Sequence, residues 1–179
     1  QYCATLRSNS LTLRSTSKND PVGALRDILI STRKCCDHPY IVDPSLQGLI
    51  TKGLPEVEYL DVGIKASGKL QLLDMMLSEI KNRQLRVVIL FQSIGGSGRD
   101  SIGDILDDFL RQRFGRDSYE RVDGGVLMSK KQAALNKFNK KDSGTFVFLL
   151  ENRACLPSIK LSSVDTIVIF DSDWNPAND

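Results

Sequence analysis

The string with the strongest claim to phosphate chemistry is Gly63-Ile64-Lys65-Ala66-Ser67-Gly68-Lys69-Leu70, which has the glycine and lysine spacing of a P-loop. A P-loop wraps backbone amides and a lysine around phosphates and ends on a Ser or Thr whose hydroxyl holds magnesium. Leu70 stands at that last position with no oxygen to offer, and it is wanted on the apolar face of the following helix. The stretch before it carries Glu56, Glu58 and Asp61 and makes a poor buried strand. The string therefore reads as a helix N-terminus capped by Ser67. A second glycine cluster, Gly95-Gly96-Ser97-Gly98, lies between a strand and a helix, where a dinucleotide fold binds pyrophosphate. Its third glycine would fall at Ser101, and no acidic ribose ligand follows at the right distance, so a surface insertion is expected.

Cys35-Cys36-Asp37-His38 gathers ligand-type residues, and His38 is the single histidine. Adjacent helical cysteines point about 100° apart and the sequence holds no second ligand pair, so no metal is expected; a buried helix end and a turn fixed by Pro39 are. One histidine and isolated serines give no case for a Ser/His/Asp or Cys/His nucleophile. Asp107-Asp108 is assigned to a solvated helix surface. Lys130, Lys131, Lys137, Lys140 and Lys141 all fall on one predicted helix, with Lys130, Lys137 and Lys141 sharing a face. Contact with a nucleic-acid backbone needs only charge and reach. Lys137, Lys141, Arg153 and Lys160 are the candidate phosphate contacts.

These residues need a fold to hold them. The chain has 179 residues, long enough to bury one domain-sized core. Lys and Arg number 24 against 22 for Asp and Glu, a formal charge of +2, too small to announce a nucleic-acid or membrane partner by itself. Hydrophobic residues at 41% and charged residues at 26% exclude wholesale disorder and fibrous composition. No apolar run approaches the roughly 18 residues of a membrane span. Cys3, Cys35, Cys36 and Cys155 show no disulfide-scaffold spacing, so a reducing compartment is expected. Gln1 in place of Met, and a stop at Asp179 straight after a strand-like run, are read as cuts in a longer polypeptide.

Residues 1–20 are Ser/Thr/Asn/Arg-rich and are expected to be poorly ordered or a severed helix end. Residues 21–66 are expected to be a helix and an irregular connector. The helix starts at Asp20-Pro21 and puts Leu25, Ile28, Leu29 and Thr32 on its apolar face; Pro39, Pro44 and Pro55 then keep the chain irregular, apart from a helical turn near 46–50. From 67 to 179 helical and strand patterns alternate. Leu70, Leu73, Met76, Leu77 and Ile80 mark a helix, 86–91 a strand, 102–110 a helix, 119–122 a strand, 133–138 a helix, 146–150 a strand and 166–170 a strand. This is an α/β fold, a parallel sheet buried on both faces under helices joined by right-handed crossovers. Ligands of such sheets lie beyond the carboxyl ends of the strands, which singles out the loops after Phe91, Val122, Leu150 and Phe170.

Taken together, Arg33-Lys34-Cys35-Cys36-Asp37-His38-Pro39-Tyr40, Ser67-Gly68-Lys69-Leu70, the run from Val87 to Gln92, Val122-Asp123-Gly124 and Phe170-Asp171-Ser172-Asp173-Trp174-Asn175-Pro176 resemble the second RecA-like lobe of the Swi/Snf-type chromatin-remodelling ATPases. The resemblance runs from about Leu25 to the end. It implies a RecA-like parallel sheet flanked by helices, incomplete at its C-terminal end, and it makes Gln92, Asp123, Gly124, Arg153, Asp171, Asp173 and Trp174 positions of family motifs. Within the family the chain is most similar to a plant silencing protein, a nuclear regulator with a partial helicase region. The partners this implies are a first helicase lobe or other chromatin proteins, with weak DNA or RNA backbone contact and no membrane; the location implied is the nucleus. The family's nucleotide chemistry, ATP with magnesium, belongs to a first lobe absent from this sequence, so no cofactor is expected here.

The sequence departs from the family in the loop that grips DNA phosphate. The usual Ser-Thr-Arg-Ala-Gly-Gly-Leu-Gly-Ile-Asn-Leu is replaced by Glu151-Asn152-Arg153-Ala154-Cys155-Leu156-Pro157-Ser158-Ile159-Lys160-Leu161. Cys155, Leu156 and Ser158 add side chains where glycines allow close approach, Pro157 removes an amide donor, and Glu151 brings negative charge. The resemblance and these losses together imply a degenerate, non-catalytic lobe acting as a scaffold in nuclear gene silencing. The alternatives are part of an active DNA-dependent ATPase remodeller and a nucleic-acid-binding module without a motor.

Overall fold

The computed structural model describes Cys3, Ala4, Arg7 and residues 21–92, 101–155 and 159–172. The chain divides into two compact units, Gln1–Gln71 and Leu72–Asp179.

In the first unit, helix α1 (Pro21–Asp37) is followed by the short helices α2 (Pro39–Val42) and α3 (Ser45–Ile50), a 3-10 turn at Glu56–Glu58 and helix α4 (Tyr59–Lys65). The connector is therefore far more helical than its prolines suggest. Each proline sits at a helix entrance: Pro39 opens α2 behind the N-cap His38, Pro44 is the N-cap of α3, and Pro55 is the N-cap of the 3-10 turn. At a helix start the missing N–H would have had no partner, and the fixed φ already suits the helix. The apolar face expected on α1 is also revised, since Leu25 and Leu29 are exposed whereas Thr32 is buried. The Thr32 hydroxyl donates a hydrogen bond shared between the carbonyls of Ile28 and Leu29, which satisfies it without solvent.

Helix α5 (Gly68–Asn82) carries the division between the units and leads into the sheet of the second. Strands β1 (Val87–Phe91), β2 (Tyr119–Val122), β3 (Val147–Glu151) and β4 (Thr166–Ile169) are all parallel, in the order β2-β3-β1-β4. Helix α6 (Ile102–Phe114) joins β1 to β2, and α7 (Met128–Asn139) joins β2 to β3. Strand pleating sends alternate side chains to opposite faces. Val88, Val122, Phe148 and Leu150 form one buried cluster with Ala134, Leu135 and Phe138 of α7, joined at its margin by Leu90, Ile159, Leu161 and Val164. Phe91 faces α6, so closely that a Cβ on Gly103 would lie 2.6 Å from its ring. A capping box of Ser101 and Asp104 starts α6, and Gly115 at φ 92° ends it. Burial of both faces holds for β3 throughout; on the edge strand β4, Ile167 and Ile169 are exposed.

Helix α7 starts earlier than its apolar spacing suggests and stops at Asn139. Lys140 is its C-cap, and Lys141 belongs to a separate 3-10 turn, Lys141–Ser143. The five lysines therefore do not share one helix, and Lys141 does not continue the helical face of Lys130 and Lys137. Among the described residues no helix is long and apolar enough to cross a membrane.

Candidate functional site

The carboxyl edge of the sheet gathers most of the described motif positions. Register pairs Phe91 with Glu151 and Val122 with Leu150, so Gln92, Asp123-Gly124 and Asn152-Arg153 leave neighbouring strands side by side. Asp171, 3% exposed just beyond β4, accepts the backbone N–H of Gln92 through Oδ1 at 2.8 Å. That bond ties together the exits of β1 and β4. Two polar atoms on this edge, Gln92 Nε2 and Asn152 Oδ1, are buried without a hydrogen-bond partner. Asp173 and Trp174 lie outside the described residues, as do Gly95 to Gly98.

At the exit of β3, Glu151 is buried and its Oε2 accepts the N–H of Gly124 at 2.6 Å. Lys131, also buried, reaches the carbonyl of the same glycine with its Nζ at 3.4 Å. A Cβ on Gly124 would stand 3.2 Å from Arg153 Cβ and 3.3 Å from Glu151 Oε2, so the two loops approach as closely as a residue without a side chain permits. Asp123 and Asp104 both take hydrogen bonds from Arg121, from Nε and Nη1, each at 2.9 Å. Burial pushes the Arg121 guanidinium down, but the hydrogen bonds and charges of Asp123 and Asp104 outweigh it and leave the group above its ordinary value. Burial pushes Asp104 up, and the bonds from Arg121 and Ser101 outweigh it, so this carboxyl sits below its ordinary value. Every one of these acids has an internal partner. Asp104, Asp123, Glu151 and Asp171 oppose Arg121, Lys131 and Arg153, a balance that does not favour an incoming anion.

The expected phosphate contacts are dispersed. Arg153 is exposed in the 3-10 turn Asn152–Ala154 at the carboxyl edge. Lys160 lies at the opposite end of α7, where its carbonyl accepts from Asn139 Nδ2 at 3.1 Å. Lys137 is ion-paired with Glu120 of β2 at 2.6 Å. Asp107 is not simply solvated either: its Oδ1 accepts the Tyr119 hydroxyl at 2.7 Å and its Oδ2 takes Arg111.

In the first unit the P-loop-like string has a structural task. Lys69 Nζ lies 2.5 Å from Asp37 Oδ1. Ser67 Oγ accepts the N–H of Leu70 at 3.3 Å, the N-cap expected of it, and donates to the Asp37 carbonyl at 2.9 Å. With Lys69 on a carboxylate and Leu70 buried without an oxygen, the string does not fit a nucleoside triphosphate and magnesium. His38, 1% exposed, accepts the Tyr40 N–H on Nδ1 at 3.2 Å and donates from Nε2 to the Gly63 carbonyl at 2.9 Å, so both ring nitrogens are engaged. Burial holds its pKa below the usual value. The sequence signal for the pairing of Asp37 with Lys69 is no more than an acid and a lysine in two motif strings, with nothing in their separation to join them.

The profile of the helicase conserved C-terminal domain matches residues 68–179. The chain belongs to that family. It is 37% identical over 184 residues to chromodomain-helicase-DNA-binding protein 8 of Homo sapiens, covering 99% of this chain and 7% of that protein. It is 40% identical over 182 residues to Protein CHROMATIN REMODELING 4 of Arabidopsis thaliana, covering 99% of this chain and 8% of that protein. The chain thus spans less than a tenth of these relatives. Among solved structures, the Sulfolobus solfataricus SWI2/SNF2 ATPase C-terminal domain superimposes with a TM-score of 0.75 at 18% identity, covering 98% of this chain and 67% of that one. At that identity the likeness is one of fold, a RecA-like parallel sheet flanked by helices. The expectation of a helicase C-terminal lobe similar to chromatin remodellers is met by family and fold.

Proposed function

We propose that this helicase C-terminal lobe is non-catalytic and serves as a scaffold in nuclear gene silencing, in the manner of the plant silencing protein Morpheus' molecule. The observation that carries the reading is Glu151: the loop after β3 ends its strand on a buried carboxylate that occupies the Gly124 amide. In the family pattern this position is a serine, whose hydroxyl is neutral and donates. A carboxylate repels phosphate and gives no proton to it. The acids at the carboxyl edge and the ion-paired Lys137 support the same reading, while the buried strands β1 and β3 keep the fold intact for a binding role. The lobe's partners are a first helicase lobe or other chromatin proteins. DNA-stimulated ATP hydrolysis by the full-length protein, measured against a first-lobe lysine variant, is the decisive assay; activity at the level of an active remodeller would overturn the proposal.

A second reading, a motor-less nucleic-acid module, is favoured by the exposed Lys130, Lys140, Arg153 and Lys160. It requires association with duplex DNA or RNA that weakens steeply with salt, and is dropped if none is detected at low ionic strength.

A further inference from the structure

We infer that residues 159–165, the stretch that leads into β4, form a two-state strap, latched by Asn139 at the end of α7 and released in favour of solvating the unbonded guanidinium of Arg86 beside it. The inference is independent of whether the lobe works as a motor.

The stretch carries no helix or strand, and its residues divide between core and solvent: Ile159, Leu161 and Val164 pack against the cluster that holds Phe138, whereas Lys160, Ser162 and Ser163 are exposed. Its polar anchor is one side chain. Asn139 donates from Nδ2 to the Lys160 carbonyl at 3.1 Å and accepts the Ser162 N–H on Oδ1 at 2.9 Å, so a single amide grips the backbone on both sides of Leu161. Both bonds are exposed, and water competes for each of them. Two features oppose the closed form. Ser163 stands at φ 60°, in the left-handed region, where its Cβ is strained as a glycine would not be. Arg86 is the second. Its backbone is joined to the end of the strap, its carbonyl taking the N–H groups of Asp165 and Thr166 and its own N–H going to Asp165 Oδ2. Its guanidinium lies 4.0 Å from the Phe138 ring centroid, with Nε, Nη1 and Nη2 buried and unbonded. Phe138 is next in sequence to Asn139, so the latch and the unbonded cation meet at one corner of the sheet, where the strap joins β4. Release of the strap lets water reach the three donors and leaves the guanidinium free to turn to the Asp165 carboxylate, a charge-assisted pairing that the closed form does not make. It gives up three apolar contacts and two exposed bonds while the ladder of β4 on β1 stays in place. The strap continues the chain that leaves β3, so its release also gives slack toward the turn Asn152–Ala154 at the opposite edge.

Amide hydrogen exchange of the whole chain, followed by NMR, tests the strap. The Ser162 N–H, held by Asn139, reports its opening, and the Val87 N–H, bonded to the Phe146 carbonyl at 2.9 Å inside the sheet, reports unfolding of the core. Relative to their unstructured rates, Ser162 is expected to exchange about a hundredfold or more faster than Val87 in wild type. Arg86→Met removes the buried donors and is expected to slow Ser162 about tenfold, the scale of one unsatisfied donor regained. Ser163→Gly relieves the turn and is expected to slow it severalfold, and Asn139→Ala to speed it. An arginine that merely packs would give the opposite sign, because its removal would loosen the strap. The proposal is overturned if Ser162 is as protected as Val87 in wild type, since the strap then opens only with the sheet. It is equally overturned if Arg86→Met leaves the Ser162 rate unchanged or raises it, or if Asn139→Ala exchanges no faster than wild type. Should Arg86→Met fail to fold, Ser163→Gly decides, and a rate no slower than wild type in that variant overturns the strap.

Discussion

Lys69 Nζ and Asp37 Oδ1 stand 2.5 Å apart although 32 residues separate them, so the lysine of a P-loop-like string holds the end of α1 instead of a phosphate. Asp37 is 1% exposed, and burial pushes its carboxyl above the usual range despite the opposing hydrogen bond and charge of Lys69. Removing Lys69 takes away the carboxyl's side-chain hydrogen bond and leaves the smaller charge effect of Arg33 to oppose its burial. Breaking a buried pair costs roughly 3–5 kcal/mol, and because Lys69 is 38% exposed, screening brings the expected cost of Lys69→Met to about 2 kcal/mol. Asp37→Asn is expected to cost less, since it removes the group whose ionisation burial opposes. Chemical denaturation of the two single variants and the double variant measures the coupling; a greater loss in Asp37→Asn than in Lys69→Met contradicts the account.

Gly103 is a packing requirement of the α6–β1 contact. A Cβ there would lie 2.6 Å from Phe91 Cε2, 2.9 Å from Cζ and 3.0 Å from Arg121 Nη2. The ring is in the wall of the core and cannot swing away freely. Gly103→Ala is therefore expected to destabilise by about 1–3 kcal/mol by overpacking, despite alanine's better helix propensity. Phe91→Leu in the same chain is expected to recover part of the loss. Thermal melts of the three variants test this, and a Gly103→Ala protein as stable as wild type would show that the ring does yield.

Arg86 carries its guanidinium 4.0 Å from the Phe138 ring centroid, with Nε, Nη1 and Nη2 all buried and lacking hydrogen-bond partners. Burial pulls its pKa down, opposed by the charge of Asp165. The cation–π contact recovers about 1–2 kcal/mol, while each of the three desolvated donors costs about 1–3 kcal/mol. Arg86→Met keeps the packing over Phe138 and removes the unsatisfied donors, so it is expected to be neutral or stabilising. Phe138→Ala, at a fully buried position of α7, is expected to cost about 3–5 kcal/mol. A large loss in Arg86→Met, measured by denaturant titration, would mean that the cation is worth far more than its contacts account for.

The four strands and the two crossover helices of the second unit were legible because each is a short apolar run or an amphipathic repeat whose burial follows directly from its pattern: β1 and β3 needed no context beyond Val87 to Phe91 and Val147 to Leu150. The helices of the connector are hidden in the sequence because a proline looks the same whether it breaks a helix or opens one, and His38, which makes Pro39 an opener by capping α2, announces this only through a side-chain bond. In the sequence, the phosphate-contact candidates stand out by charge and reach. Charge does not reveal that Lys137 meets Glu120 across two elements, or that α7 ends before Lys141. Glu151 stood out as a charge against the family pattern, but its partner, the Gly124 amide, could come only from the parallel register that sets β2 beside β3.

The buried His38 sets a pH dependence whose sign is fixed. Its folded pKa lies below the ordinary 6.5, with burial as the cause and the Gly63 hydrogen bond opposing it. As pH falls, the unfolded chain takes up a proton first, so the stability present above the unfolded value is lost progressively as pH drops toward the folded one. Asp37 beside it acts oppositely: its folded pKa is raised above 3.8, so its contribution is present at low pH and is lost as pH rises through the raised value. The two groups therefore push stability in opposite directions on acidification, and only the histidine effect is removed by a substitution at position 38. His38→Asn keeps an N-cap acceptor for the Tyr40 N–H and removes the titration. Wild type is expected to lose thermal stability between about pH 7 and 5.5, and His38→Asn to be flatter over that interval. A wild-type slope that survives unchanged in His38→Asn would place the proton uptake on another group.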